Sequence, residues 1–216
     1  MKKVSLILST VVMTAMVLIP CVTVAQDEVT IGKQVWMVEN LNVDKFRNGD
    51  PIPQAKTDEE WKKSGENKQP AWCYHENDPV NGEKYGKLYN WYAVNDSRGL
   101  VPDGYHIPSD AEWTELEDFL GGESVAGTKM KSTDFWADYL GESGNGTNEI
   151  GFSGLPAGFR TYFGSFSSIG YSGRWWSSTE GGKYGPWTRV LGYGSGEVYR
   201  KSQLKGEGFS VRCLRD

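Results

Sequence analysis

The segment "HENDPVNGEKYG", His75 to Gly86, clusters oxygen-bearing side chains in one turn-rich stretch. Hard oxygen ligands at this density could hold calcium, with Asn77, Asp78, Asn81 and Glu83 as side-chain ligands and backbone carbonyls completing the shell. The spacing is not that of an EF-hand loop, and Asx turns beside Pro79 and Gly82 account for the same residue types without a metal. Histidine chemistry has less to work with. His75 and His106 are the two histidines, and together with distant cysteines they provide no C-x-x-C or H-x-x-x-H spacing for zinc. "GFSGL" lacks the G-x-S-x-G arrangement of a nucleophile elbow. His106 stands just before a capping serine in "GYHIPSDAEW" with no nucleophile to serve, so it is read as a scaffold histidine. Carboxylate pairs of the kind glycosidases use arise by number alone in a chain with 28 Asp and Glu.

Aromatic recognition is the stronger chemical theme, since nine Trp, eleven Tyr and eight Phe accompany 27 glycines. Tyr171, Trp176, Tyr184, Trp187 and Tyr193 lie close together in "YSGRWWSSTEGGKYGPWTRVLGY" and form a candidate platform for sugar or peptide. Trp175 and Trp176 are neighbours on a strand and must point to opposite faces, so at least one belongs to the core.

These residues need elements to hold them. From Val29 the chain alternates as a strand or hairpin with its turn at Gly32-Lys33. Thr57, Glu60 and Gly65 predict a short helix with a capping box and a glycine stop. The stretch from His75 to Gly86 is read as turns, and Leu88 to Val94 as a buried strand-like or short helical run. Ser109 as N-cap, Glu112 three residues on, and Trp113, Leu116, Phe119 and Leu120 at helical spacing predict a helix ended by Gly121-Gly122. "ESVAGTKMKS" predicts a further helix that Gly127 weakens. From Gly151 onward short strands alternate with glycines, with a hairpin turn at Gly194-Ser195-Gly196, and "GFSVRCLRD" sets Phe209, Val211 and Cys213 against Ser210, Arg212 and Leu214. Helices in the first half and strands in the second predict an α+β domain, its short helices packed on a twisted, mainly antiparallel sheet.

Residues 1–25 have the pattern of a secretory signal: Lys2 and Lys3, an apolar run, then small residues at Thr23-Val24-Ala25. A mature domain over residues 26–216 is expected, exported and without a transmembrane segment; a lipid anchor at Cys21 is the alternative, disfavoured by Pro20 before it. Losing Lys2 and Lys3 takes a formal charge of −5 two units further down, and no basic stripe exists, which argues against a nucleic-acid partner. In an oxidising compartment Cys73 and Cys213 are expected to form a disulfide, with two buried free thiols as the other arrangement.

The segments "IGKQVWMVENLNV", "YGKLYNWYAV", "GYHIPSDAEWTELEDFLGG", "GFSGLPAGFR", "WWSSTE" and "GFSVRCLRD", in this order, resemble the Fibrobacter succinogenes major paralogous domain family over about residues 29 to 216. That resemblance implies a bacterial secreted or surface protein and carries no activity with it. The helix start at Gly104 to Trp113, the strand at Trp175 to Thr179 and the last strand at Gly208 to Cys213 more distantly resemble the formylglycine-generating-enzyme and C-type-lectin-like fold. This implies a compact α+β domain whose loops recognise ligands. The chain departs from both branches: no cysteine lies between Trp176 and Phe209, and the Glu-Pro-Asn, Gln-Pro-Asp and Trp-Asn-Asp triplets of calcium-dependent lectins are missing. The expected function is therefore an exported, non-catalytic module that binds a surface glycan or protein through loops between Thr161 and Tyr193. A polysaccharide-acting enzyme and a surface display scaffold are the alternatives.

Overall fold

The computed structural model describes residues 27–216, so the expected signal and its Cys21 lie outside the described residues. The alternation from Val29 folds as a hairpin of β1 (Glu28–Ile31) and β2 (Gln34–Met37), with Ile31 opposite Gln34 and Gly32 at φ +61° in the turn. A residue without Cβ takes that conformation at little steric cost. Thr57 and Glu60 exchange the two bonds of a capping box at the start of α1 (Asp58–Glu66). The helix runs through Gly65 and ends at Asn67. Gly65 is a contact rather than a stop, because a Cβ there would stand 3.2 Å from the Tyr162 ring.

The region expected to be turns contains a helix. After β3 (Trp72–Cys73) and a 3-10 turn over His75–Asn77 comes α2 (Pro79–Tyr85). Asp78 caps it by accepting from the Val80 N–H at 2.9 Å, Pro79 occupies its first turn, and Gly86 leaves it at φ +75°. Asp-Pro and Gly are turn signals that also start and end helices, and here the helical use wins. The Leu88–Val94 run divides at Asn90, which caps α3 (Trp91–Val94) after β4 (Leu88–Tyr89). β5 (Tyr105–His106) leads to α4 (Asp110–Phe119), where Ser109 and Glu112 form the expected capping box and Trp113 and Leu116 are buried. Gly121 and Gly122, both at positive φ, separate it from α5 (Glu123–Met130). Gly127 is required there, since a Cβ would meet the Glu197 carbonyl oxygen at 2.6 Å.

The remaining strands are β6 (Ala157–Arg160), β7 (Phe166–Ile169), β8 (Ser172–Glu180), β9 (Pro186–Gly192), β10 (Val198–Ser202) and β11 (Leu214–Arg215). Strands β10-β9-β8 form one antiparallel sheet, β3-β4 and β6-β7 form two-stranded ribbons, and β11 inserts between β2 and β5 in the order β1-β2-β11-β5. The fold is α+β with short helices and antiparallel sheets, as expected. Strands are not confined to the second half, however, because β11 pairs with β2 and β5 from the first half, and β1 extends the same sheet through β2. No helix among the described residues is long and apolar enough to cross a membrane.

Both Trp175 and Trp176 are wholly buried, and each enters a different cluster from its own face of β8. Trp175 joins Trp36, Trp113 and Phe152 at centroid distances of 4.9 to 6.5 Å, and its indole N–H donates to Asn40 Oδ1 at 2.8 Å. Trp176 lies 4.5 Å from Phe209 and donates to the Tyr89 carbonyl at 2.7 Å. Rings of this size, offset or tilted, supply most of the apolar area that the few aliphatic residues cannot. Cys73 and Cys213 are free and buried in separate clusters, Cys73 with Trp61 and Leu88, Cys213 with Met37 and Tyr89. Burial pushes each thiol up to about 12.

Arg160, Arg189 and Arg212 are also wholly buried. Arg160 donates to the carbonyls of Gly164, Ala55 and Thr57 at 2.7 to 2.9 Å. Arg212 donates to Met37 and Phe152 carbonyls and to Asn40 Oδ1, and burial lowers its pKa. The C-terminal segment therefore buries both of its alternating faces, the polar one by spending its guanidinium on backbone carbonyls.

Candidate functional site

Between α5 and β6 the chain makes a long excursion whose tip is pinned by Ala137 N–H to the Gly170 carbonyl at 2.8 Å and by Tyr139 paired with Glu142. Leu140 at φ +53° and Gly141 at φ +88° turn the tip back. This brings Tyr139 against Tyr193 at 5.3 Å and 88°, and Tyr193 against Tyr171 at 5.0 Å and 85°. Tyr193 N–H donates to the Tyr171 carbonyl at 3.0 Å, which locks the second pair. Two glycines make room: a Cβ on Gly194 would strike the Tyr139 ring at 2.8 Å, and one on Gly144 would meet the Ala137 oxygen at 2.1 Å.

Lys131 holds the floor. It is buried, lies beside the Trp136 ring, and its ammonium donates to Gly144 at 2.7 Å and approaches the Gly192 and Tyr193 carbonyls at 3.4 and 3.5 Å. Burial lowers its pKa, and the carbonyl dipoles take its three donors. The result is a cleft of about 320 Å³ lined by Tyr139, Glu142, Asn145, Tyr193 and Ser195; Tyr139 is 44 % exposed, and Tyr171, 51 % exposed, adjoins the cleft through its contact with Tyr193. Asn145 fixes the wall by accepting from Trp136 N–H at 3.0 Å. Perpendicular aromatic faces beside a polar rim can stack against an apolar face of a ligand while hydroxyls or amides are met at the edge.

Of the five aromatics expected to form a platform, the fold brings Tyr171 and Tyr193 together and separates the rest. Trp176 is a core residue, as above, because its face of β8 points at Phe209. Tyr184 stands exposed at the β8–β9 turn, and Trp187 stacks under the Arg200 guanidinium at 3.4 Å, at the opposite end of β9 from Tyr193. Tyr139 belongs to the cleft and was not among the expected residues. Its signal, "FWADYLGES", is an aromatic run closed by glycine, of the same kind as "GKYGPW" around Tyr184 and Trp187.

Three of the four residues proposed for calcium are engaged in hydrogen bonds. Asp78 caps α2, Asn81 donates to the His75 carbonyl at 3.1 Å, and Asn77 donates to the Lys56 carbonyl at 2.8 Å. Glu83 lies on α2 beside a small cavity with Lys84 and Tyr85. Among the described residues no group of three His, Cys, Asp or Glu is placed to hold a metal.

His106 joins three elements. Its Nδ1 lies 2.8 Å from Asp216 Oδ1 and its Nε2 2.9 Å from Glu112 Oε1, while the other Glu112 oxygen accepts from the Ser109 N–H at 2.7 Å. Both ring nitrogens are committed, which fits the scaffold role. Burial opposes the charge, but the bonds to Asp216 and Glu112 outweigh it and hold the imidazole pKa above its ordinary value. A group raised on folding contributes its full stability below the unfolded value of about 6.5 and loses it as pH rises through the folded value. Urea midpoints are therefore expected to fall as pH rises from about 6 to about 9, a slope that His106→Gln removes. Equal slopes in the two proteins would show that the network carries no such linkage.

A family model described as the Fibrobacter succinogenes major domain matches residues 29–215. Neither a curated protein nor a solved structure matches the chain.

Proposed function

The chain belongs to the Fibrobacter succinogenes major domain family, and we propose that it is an exported, non-catalytic binding module that takes a neutral saccharide in the cleft of Tyr139 and Tyr193, with Tyr171 beside it. The observation that carries this reading is the pair of perpendicular, half-exposed ring contacts around a 320 Å³ cleft. A pyranose presents an apolar C–H face and a rim of hydroxyls, and the cleft offers ring faces and a polar edge in the same relation. Acidic sugars are disfavoured, because Glu142 stands at the rim while Lys131 has its donors turned to carbonyls. Calcium plays no part in this recognition.

Two further features support a module of C-type-lectin-like design. β11 lies between β2 and β5, so the N-terminal and C-terminal strands of the described chain share one sheet, and the Tyr139 excursion, between α5 and β6, is no part of it. The enzymatic alternative has weaker support. Carboxylates that the fold brings together are tied to cations: Asp110 and Glu117 to Arg189, Glu112 and Asp216 to His106.

A glycan array probed with and without a calcium chelator tests the reading. Neutral glycans are expected to bind equally in both conditions, and Tyr171→Ala to weaken binding about tenfold, the loss of roughly one stacked ring. Absence of any bound glycan at micromolar protein, or binding that the chelator removes, would overturn it.

A further inference from the structure

The tip of the excursion between α5 and β6 is a tight hairpin of its own. Tyr139 and Glu142 exchange both backbone bonds, at 2.8 and 3.0 Å, and Leu140 and Gly141 between them stand at φ +53° and +88°, the left-handed pair of a type I′ turn. Residues directly opposite in such a pair project their side chains to one face, with Cβ atoms roughly 5 Å apart. The Glu142 side chain therefore leaves the turn beside the Tyr139 ring, and both line the cleft with Tyr193 on the other bank.

Glu142 is exposed and has no cation of its own among the described residues. Lys129 is paired with Glu149 at 3.2 Å, and Lys131, the cation that lines the cleft, is spent on the Gly144 carbonyl at 2.7 Å. The two oxygens of Glu142 can only accept. Asn145, three residues on, is the complementary group. Its Oδ1 is taken by the Trp136 N–H at 3.0 Å, which fixes the orientation of the amide and leaves Nδ2 with two donors and no partner among the described residues. Between the two, Gly144 is anchored: Lys131 holds its carbonyl, and a Cβ on it would meet the Ala137 and Tyr193 oxygens at 2.1 and 2.9 Å.

The opposite bank leaves polar recognition to this pair. Ser195 Oγ already accepts from the Glu197 N–H at 3.1 Å and from the Tyr199 hydroxyl at 3.0 Å, which fills its acceptor capacity. What fits is a ligand with a proton to give at one atom and a lone pair to offer at the next. Two adjacent hydroxyls of a pyranose do both while the C–H face of the ring rests on tyrosine. A quaternary ammonium would use the rings and Glu142, but it would leave the Asn145 donor unmet and bring a second cation towards Lys131.

Resting on the saccharide reading of this cleft, we propose that Glu142 and Asn145 select a free vicinal diol on the bound pyranose: one hydroxyl donates to the Glu142 carboxylate, and its neighbour accepts from Asn145 Nδ2. An ether or ester at the first position has no proton for Glu142 and leaves that bond unmade, so the site discriminates against sugars substituted there.

The probes are the methyl glycosides of glucose, galactose and mannose, titrated in the millimolar range into isotope-labelled protein, and then the mono-O-methyl ethers of whichever glycoside binds. At least one glycoside is expected to shift the NMR signals of the Tyr139 and Tyr193 rings and of the Asn145 side-chain amide together. Methylating one hydroxyl of a single adjacent pair is expected to weaken binding about tenfold. Glu142→Gln, an exposed substitution expected to leave the urea midpoint unchanged, weakens the glycoside by about the same factor and removes the penalty for the ether, because a Gln amide can donate to an ether oxygen. A glycoside that shifts the rings but not Asn145, or that Glu142→Gln binds as tightly as the parent, overturns the diol while the saccharide reading stands. If no glycoside moves the rings, or choline moves them in preference to all three, the saccharide reading falls and the diol with it.

Discussion

Arg189→Met is expected to destabilise the domain by about 3–5 kcal/mol, the range for removing one partner of a buried ion pair. Arg189 sits on β9 with its side chain wholly buried and donates through Nε to Glu117, through Nη1 to Asp110 Oδ1 at 2.7 Å, and through Nη2 to the Asp110 carbonyl and Thr114 Oγ1, both at 3.1 Å. Glu117 is 1 % exposed on the inner face of α4. Burial raises its pKa, and the Arg189 charge and hydrogen bond oppose that rise. Remove the guanidinium and Glu117 faces the core with no compensating charge, while the start of α4 keeps its tie to the sheet through Arg200. Asp110 keeps a partner in Arg200, which donates to both of its carboxylate oxygens. The cost therefore falls on Glu117, and Arg189→Met/Glu117→Met is expected to recover most of it, because two apolar side chains need no mutual solvation. Urea unfolding of the three proteins measures the difference. A single variant within about 1 kcal/mol of the parent, the range of ordinary substitutions, would show that the network contributes little.

Trp176→Ala is expected to cost a comparable 3–5 kcal/mol or so, the usual loss for a buried tryptophan truncated to alanine. Its ring packs on Phe209, and its N–H is the partner of the Tyr89 carbonyl, itself in the bridge between Tyr89 and Phe209. Truncation opens a cavity and removes one of that carbonyl's two donors, leaving it the Phe209 N–H at 3.1 Å. The same variant separates core from platform. At a temperature where it remains folded, saccharide affinity should match the parent. A variant of parental stability that had lost ligand binding would return Trp176 to the recognition surface.

Much of the local architecture is legible in the chain, and the reasons are short-range. The Ser109–Glu112 and Thr57–Glu60 boxes, the Gly32 turn and the 194–196 hairpin depend on residues within a few positions of one another. The same signals misled where two local structures compete for them. Asp78-Pro79 caps a helix rather than making a turn, and Gly65 and Gly127 are contact points for Tyr162 and Glu197 rather than a helix end and a weakness. Nothing nearby in sequence distinguishes those uses, since the deciding neighbours arrive from other elements.

Export, the α+β class, the aromatic core and the absence of a basic face are matters of composition and short pattern, and the amino-acid order alone leads to each as expectation. Which aromatic is core and which is rim is not, because Trp175, Trp176 and Tyr171 have the same chemistry and differ only in what β8 packs against. Burial of charge is further still from local reach. Arg189 meets a carboxylate 72 residues away and Arg212 a carbonyl 175 residues away, so these arginines become interior only once the sheet and α4 have closed around them. The tyrosine cleft has the same origin: Tyr139, Tyr171 and Tyr193 come from three separate turns, and a site assembled from long-range contacts exists in the tertiary fold before it can be recognised in any one segment.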